Sequence, residues 1–211
     1  MASYGIVSDI HGNITALEAV WRKLDTRDLL SRMILNAGDS VAYGSNSAAC
    51  IDFLRSCSQV VSVGGNYDYN VADYLHSIEK FERKWQRSRP DKLNSIRDAS
   101  GQISEDQREW LRNLPSSLDL DIEGQTVYLG HYSPLGAKRG IGSWTTDSEL
   151  SVIADECSFD IIIVGHTHTP FVRRSGGTLF VNPGSVGRSW GLPSFAILTV
   201  DEGKVSCEVV T

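Results

Sequence analysis

Two spacings of apolar residues run along this chain, and they change over near its middle. In the first half, short β-branched or aliphatic runs at 4–8, 31–36 and 60–63 are bounded by Gly and read as buried strands. Between them apolar residues step by three and four, as in Ile14, Leu17, Val20, Trp21 and Leu24, which predicts a helix. Ser47 can cap a second helix with Ala48, Ile51, Phe53 and Leu54 near one face. A polar, helical stretch of different character follows at about 71–113. Its last helix opens on Ser104 and Gln107 at capping-box spacing, with Trp110, Leu111 and Leu114 apolar.

The second half turns strand-rich. Runs at 118–122 and 125–130 flank Glu123-Gly124 and predict a hairpin. Thr146 and Glu149 form another capping-box pair, starting a helix to about Cys157. Strands are expected near 159–164, 170–175, 178–182, 194–200 and 204–210, with turns at Gly176-Gly177 and Glu202-Gly203. Alternating strands and helices predict parallel pairing in the first half, and hairpins predict antiparallel pairing in the second. The expectation is therefore α/β with mixed sheets. It is read as one domain over 1–211 with a helical insert at about 71–113, without internal repeats or a low-complexity linker.

The chemistry sits at the strand ends. Asp9-Ile10-His11, Gly38-Asp39, Gly64-Gly65-Asn66-Tyr67-Asp68, Gly130-His131 and Gly165-His166-Thr167-His168 each trail an apolar run. Open α/β sheets place their ligand sites just past the carboxyl ends of strands. Any one motif is common, and a Gly-His pair alone is more often a turn than a site. Recurrence changes the odds: four of the five His residues, two Asp and one Asn stand at such ends. Carboxylate, amide and imidazole together suit Mn, Fe, Zn or Co, and seven groups exceed what one tetrahedral ion needs. Two divalent ions follow.

The order of these motifs resembles the calcineurin-like metallophosphoesterase superfamily along the whole chain, whose pattern is D-x-H, G-D, G-N-H-D, G-H and G-H-x-H. Val181-Asn182-Pro183-Gly184-Ser185-Val186-Gly187 also looks like a segment of the small prokaryotic phosphodiesterase branch. The resemblance implies a four-layer αββα sandwich of two mixed β-sheets. It implies that Asp9, His11 and His168 hold one ion, that Asn66, His131 and His166 hold the other, and that Asp39 bridges them. Manganese leads the candidate ions, with Fe, Zn, Ni and Co behind it. The implied activity is hydrolysis of a small phosphate ester, a phosphodiester first, by a metal-bridging hydroxide. The alternatives are a dinucleoside polyphosphate or other nucleotide as substrate, or a non-catalytic protein-binding scaffold, since the superfamily includes a retromer coat subunit. One position departs from the pattern. Tyr67 stands where the family commonly has the His thought to protonate the leaving oxygen. A phenol with a pKa near about 10 donates a hydrogen bond but shuttles protons poorly near neutrality. Tyr67 is the catalytic candidate in that place, with simple packing as its other reading.

Asn66, His131 and Arg139 are the candidates to meet the substrate phosphate, with Lys138 and Arg188 as further cations near the motifs. Lys80, Arg83, Lys84, Arg87, Arg89 and Lys92 crowd beside Phe81 and Trp85. Two readings fit that run: a rim drawing anionic substrate inward, or the solvated face of an amphipathic helix diluted by Glu79, Glu82 and Asp91. The chain shows no nucleophile elbow and no Walker A loop.

Composition adds bounds. With 211 residues, 41% apolar and 22% charged, the chain can bury one sizeable core. A net charge of −6 gives no reason to expect general nucleic-acid binding. No apolar run approaches a membrane span and the start lacks a signal pattern, so a cytoplasmic protein is expected. Cys50, Cys57, Cys157 and Cys207 show no C-x-x-C spacing and are read as reduced thiols. Oligomeric state is left open, with Trp144 and Trp190 as possible interface or core residues.

Overall fold

The computed structural model describes residues 1–136, 140–189 and 191–211, so Lys138, Arg139 and Trp190 lie outside the described residues. Among the described residues ten strands form two five-stranded sheets. The first is ordered β10-β9-β1-β2-β3, from Lys204–Val210, Phe195–Asp201, Ala2–Val7, Ile34–Asn36 and Val60–Ser62. The second is ordered β4-β5-β6-β8-β7, from Ser117–Ile122, Gln125–Gly130, Ile161–Ile163, Thr178–Asn182 and Phe171–Ser175.

The alternation of side chains along each strand explains why the sheets stack. Tyr4, Ile6, Leu35, Ala196 and Leu198 of the first sheet meet Val127, Leu129, Ile161, Ile163 and Val181 of the second in one buried core. Intervening residues face outward. Val7, Ile34, Phe195 and Ile197 pack under α1 (Ile14–Asp25) and α2 (Ser47–Ser56). Tyr128, Ile162 and Phe180 pack under α7 (Asp147–Cys157). The layers run helix, sheet, sheet, helix, as the four-layer expectation required. The α1 stripe of Leu17, Val20, Trp21 and Leu24 is buried, and the Asn13 side chain caps the helix by accepting the Ala16 N–H at 3.1 Å.

Pairing follows the prediction only in part. β1, β2 and β3 are parallel, and β4–β5, β7–β8 and β9–β10 are antiparallel hairpins. However, β5–β6 and β6–β8 are parallel, and β9 and β10 leave the second half to join the first sheet beside β1. Strand ends also differ. The second strand spans Ile34–Asn36 rather than 31–36, because Arg32 N–H closes a turn onto the Leu29 carbonyl at 3.2 Å. Asn46, not Ser47, precedes α2; the Ser47 hydroxyl instead accepts the Ala42 N–H.

The polar stretch is helical from Asn66: α3 (Asn66–Asp73), a 3-10 turn, α4 (Ile78–Trp85), α5 (Pro90–Gln102) and α6 (Glu105–Asn113). Val71, Phe81, Trp85, Leu93, Ile96 and Leu111 make its own cluster, which also takes in Val41, Ile51 and Tyr67. Arg108, 3% exposed, ties it together by donating to the Val71 carbonyl, the Ser100 hydroxyl and the Ser100 carbonyl. No helix among the described residues is long and apolar enough to cross a membrane.

Candidate metal centre

Parallel pairing of β1, β2 and β3 puts their carboxyl ends at one edge of the first sheet, and parallel β5 and β6 do the same in the second. The loops leaving those ends meet across the sandwich. Asp9 N–H donates to the Gly38 carbonyl and His11 N–H to the Asp39 carbonyl. Between sheets, His131 Nδ1 donates to the Ala37 carbonyl at 2.8 Å and His166 N–H donates to Asp9 Oδ2 at 3.0 Å. Asp9, His11, Asp39, His166 and His168 all take left-handed backbone, with φ between 49 and 73. Asp and His tolerate that region better than most residues, yet each costs about 1–2 kcal/mol there. Strain concentrated on five neighbouring polar residues marks a site whose geometry is over-determined by its surroundings.

Two groups of donor atoms result: Asp9, His11 and His168 in one, and Asp39, His131 and His166 in the other, each within 4.8 Å of one another. Asp9 Oδ1 lies 3.2 Å from His168 Nε2 and 3.7 Å from His11 Nε2. Asp39 Oδ2 lies 3.2 Å from His131 Nε2 and 3.9 Å from His11 Nε2, between the two groups. All but His166 are buried, and His166 is half-buried.

The hydrogen bonds around these atoms decide what they can hold. Each carboxylate spends one oxygen on the protein. Asp9 Oδ2 accepts Ser8 Oγ–H at 2.7 Å and the His166 N–H, and Asp39 Oδ1 accepts the Tyr67 N–H at 2.7 Å. The other oxygens, Asp9 Oδ1 and Asp39 Oδ2, and His131 Nε2 are buried without a hydrogen-bond partner. Nδ1 of His11, His131 and His168 faces the carbonyls of Val41, Ala37 and Arg188, so in each ring Nδ1 carries the proton and Nε2 of the neutral ring offers a lone pair. The Nε2 atoms of His11 and His168 are only 3.1 Å apart, too close for two protons. Leaving such groups unsatisfied would be expensive. A divalent cation in each group would satisfy them, with the carbonyls that orient the imidazoles as the supporting layer. The donor set fits two divalent ions.

Without ions, protons take their place. Burial alone would lower the His131 pKa, but the Asp39 charge beside it outweighs this and holds it at about 10. Burial alone would raise the Asp9 carboxyl, yet the facing imidazoles of His11 and His168 hold it well below the usual range. His166 is pushed down to about 4 by burial and by His131.

Several neighbours had no role in the sequence reading. Asp68, fully buried, accepts the N–H groups of Asp39, Ser40 and Gly65 at 2.8–2.9 Å, so it clamps the Asp39 loop to the start of α3. Its signal was an acid in the first turn of a helix, three residues after Gly65. Tyr132 packs on His131 and His166 and donates to Asn66 Oδ1 at 2.7 Å, which puts Asn66 beside the second group. Tyr43 carried no local signal. Its ring edges His11, and its hydroxyl bonds that of Tyr67 at 2.5 Å. The Tyr67 ring also edges His11, and burial, then the Tyr43 bond, push its pKa upward. At Gly65 and Gly165 a close approach requires glycine: a Cβ on Gly65 would collide with Asp39 Oδ1, and one on Gly165 with Ser8 Oγ.

Residues 3–203 match the domain model of the calcineurin-like phosphoesterase superfamily, and the chain belongs to that family. An uncharacterized protein of Methanocaldococcus jannaschii is 27% identical over 97% of this chain and 85% of its own length. A metallophosphoesterase from Sphaerobacter thermophilus superposes with a TM-score of 0.76 at 25% identity, covering 99% of this chain and 88% of that one. A symmetrical bis(5'-nucleosyl)-tetraphosphatase of Glaesserella parasuis is 28% identical over 54% of this chain and 39% of its own length.

Proposed function

We propose that this protein is a metal-dependent phosphodiesterase acting on a small phosphate ester. Asp9, His11 and His168 hold one divalent ion, Asn66, His131 and His166 hold the other, and Asp39 reaches both. Manganese is the first candidate ion. The observation that carries this reading is the convergence of Asp9 Oδ1, Asp39 Oδ2 and His131 Nε2, buried and without hydrogen-bond partners. When bound, a pair of such ions supplies an acidified water as nucleophile and neutralises charge on the phosphoryl oxygens.

The protein's own groups do the rest. Asn66 is a neutral donor, so it adds no charge that would repel phosphate. The Tyr67 backbone N–H holds Asp39 Oδ1, which leaves Oδ2 aimed at both groups. The Tyr67 hydroxyl, its pKa raised and its partner Tyr43, donates a hydrogen bond and gives up no proton near neutrality. With no imidazole at that position, the enzyme favours leaving groups of low pKa. His131 reaches the phosphate only as a metal ligand, and the Arg139 assignment falls outside the described residues.

A dinucleoside polyphosphate is the second reading, favoured by the similarity over half the chain to the tetraphosphatase. The complete ligand set argues against a scaffold that has lost catalysis. The test is turnover of bis-p-nitrophenyl phosphate by manganese-loaded protein, with Asp39→Asn lowering kcat/KM by about 10²–10³-fold. Unchanged turnover in that variant removes the bridging role. Absence of turnover with Mn, Fe, Zn, Ni and Co alike, on mono- and diesters and on diadenosine tetraphosphate, removes the enzyme reading.

A further inference from the structure

One ring away from the donor groups, the hydroxyl-linked pair Tyr43–Tyr67 is flanked by two cations. The Lys92 ammonium, from α5, lies 4.5 Å over the Tyr67 ring and 4.6 Å over the Trp85 ring. The Arg188 guanidinium lies 3.6 Å over the Tyr43 ring. Among the described residues neither side chain meets a carboxylate or a hydrogen-bond acceptor. Cation–aromatic contacts leave the in-plane N–H groups of a stacked guanidinium and the donors of an ammonium free.

Neither cation is placed by accident of a floppy chain. The Arg188 N–H donates to Ser185 Oγ at 2.8 Å and its carbonyl accepts from His168 Nδ1, so the hydrogen bonds that orient a donor ring also fix this residue. The α5 helix is anchored by buried Leu93 and Ile96, and its Gln102 side chain accepts the Ser47 N–H at 2.9 Å. Burial lowers the Lys92 pKa, as expected of an ammonium partly stripped of water and not yet paired with an anion. Beside Arg188, an open polar cleft of about 420 Å³ runs outward from His11, past Asn13, Tyr43 and Asn46. It is continuous with the candidate centre but lies to one side of it.

We infer that Lys92 and Arg188 bind a second phosphate beside the one that reacts, so the preferred substrate carries a polyphosphate, as nucleoside polyphosphates do. This rests on the phosphoesterase reading and narrows its substrate class. A simple diester has nothing to offer these cations, whereas an adjacent phosphate offers oxygens that suit the guanidinium edge in bidentate fashion.

The experiment compares manganese-loaded wild-type protein with Lys92→Gln, Arg188→Gln and Arg188→Lys. Turnover is measured on diadenosine tetraphosphate and bis-p-nitrophenyl phosphate, and binding of methylenediphosphonate and methylphosphonate is measured by calorimetry. Each Gln variant is expected to lower the ratio of kcat/KM values, tetraphosphate over diester, by at least about tenfold, chiefly through KM. The preference for the diphosphonate falls in parallel, and Arg188→Lys retains part of both. Equal losses on both esters, or an unchanged ratio, overturn the inference. If wild-type protein hydrolyses neither ester, the phosphoesterase reading fails by itself. The phosphonate preference then still decides whether the two cations bind a second phosphate, and its persistence in the Gln variants overturns the inference.

Discussion

The strand-tip loops and the helical segment 66–113 both face the candidate centre, yet they are held in opposite ways. In the loops, five of the donor residues are held in left-handed backbone, and the buried side-chain atoms left without a hydrogen-bond partner, Asp9 Oδ1, Asp39 Oδ2 and His131 Nε2, all belong to the two donor groups. On the helical side, Lys92 rests on aromatic faces with its charge unpaired among the described residues. Rigid, satisfied surroundings suit groups that must hold ions in one geometry. An unpaired cation on an aromatic shelf suits recognition of a ligand that arrives and leaves. On the proposed reading, the sheets would supply the chemistry, and the helices and the Arg188 loop the choice of substrate.

If the loops are as over-determined as this contrast requires, the largest effect should come from their clamp. Asp68→Ala strands three buried N–H groups, each costing about 1–3 kcal/mol. Urea unfolding should show a loss of about 3–9 kcal/mol, and metal titration an affinity about 10–100-fold weaker. Full metal affinity in that variant would break the comparison. Gly65→Ala should cost less, about 1–3 kcal/mol, since the new Cβ must displace Asp39 or the loop carrying it. Thermal melts alongside turnover measure it; a stability loss without a fall in kcat would show that Asp39 is not held by this contact.

Acid should weaken metal binding. His131 binds its proton up to about 10 in the metal-free protein, and a metal ion must displace it. One proton is therefore released per ion at that group, and its apparent Kd rises about tenfold per pH unit as pH falls from about 8 to about 6.5. The metal-free fold behaves in the opposite sense. With a pKa raised from 6.5, His131 contributes stability that is complete below about pH 6.5 and lost as pH rises through about 10. Isothermal titration in buffers of different ionisation enthalpy counts the protons; a pH-independent Kd contradicts the assignment. The smallest effect is expected from the remaining basic residues. Lys80 and Arg83 are exposed on α4, so Lys80→Ala and Arg83→Ala should leave kcat/KM within about twofold. A larger loss would extend the recognition surface along α4.

Much of the centre was readable from the chain because its donors obey a local rule: Asp, His or Asn within three residues of a Gly, just past an apolar run. Asp9, His11, Asp39, His131, His166 and His168 were named that way, and the structure brings their donor atoms into two groups. Tyr43 and Tyr132 were missed, since an aromatic residue in a loop announces nothing about what it will touch. Lys92 was visible only as one cation among six, and its neighbours could not be told apart from it by charge. What separates it is the face of α5 it occupies relative to Trp85 and Tyr67.

Local sequence determined the elements with strong periodicity, paired caps or a two-residue turn: the α1 stripe, the capping boxes at Ser104 and Thr146, and the hairpins β4–β5, β7–β8 and β9–β10. Those signals depend on residues a few positions apart, so the chain carries them before it folds. Only tertiary structure decided that β9 and β10 cross to the first sheet and that β5, β6 and β8 run parallel. The same holds for the unpaired Asp9 and Asp39 oxygens, which come to face imidazoles from distant loops. Those outcomes are set by which apolar faces bury against each other across the sandwich, a condition that no window of neighbouring residues contains.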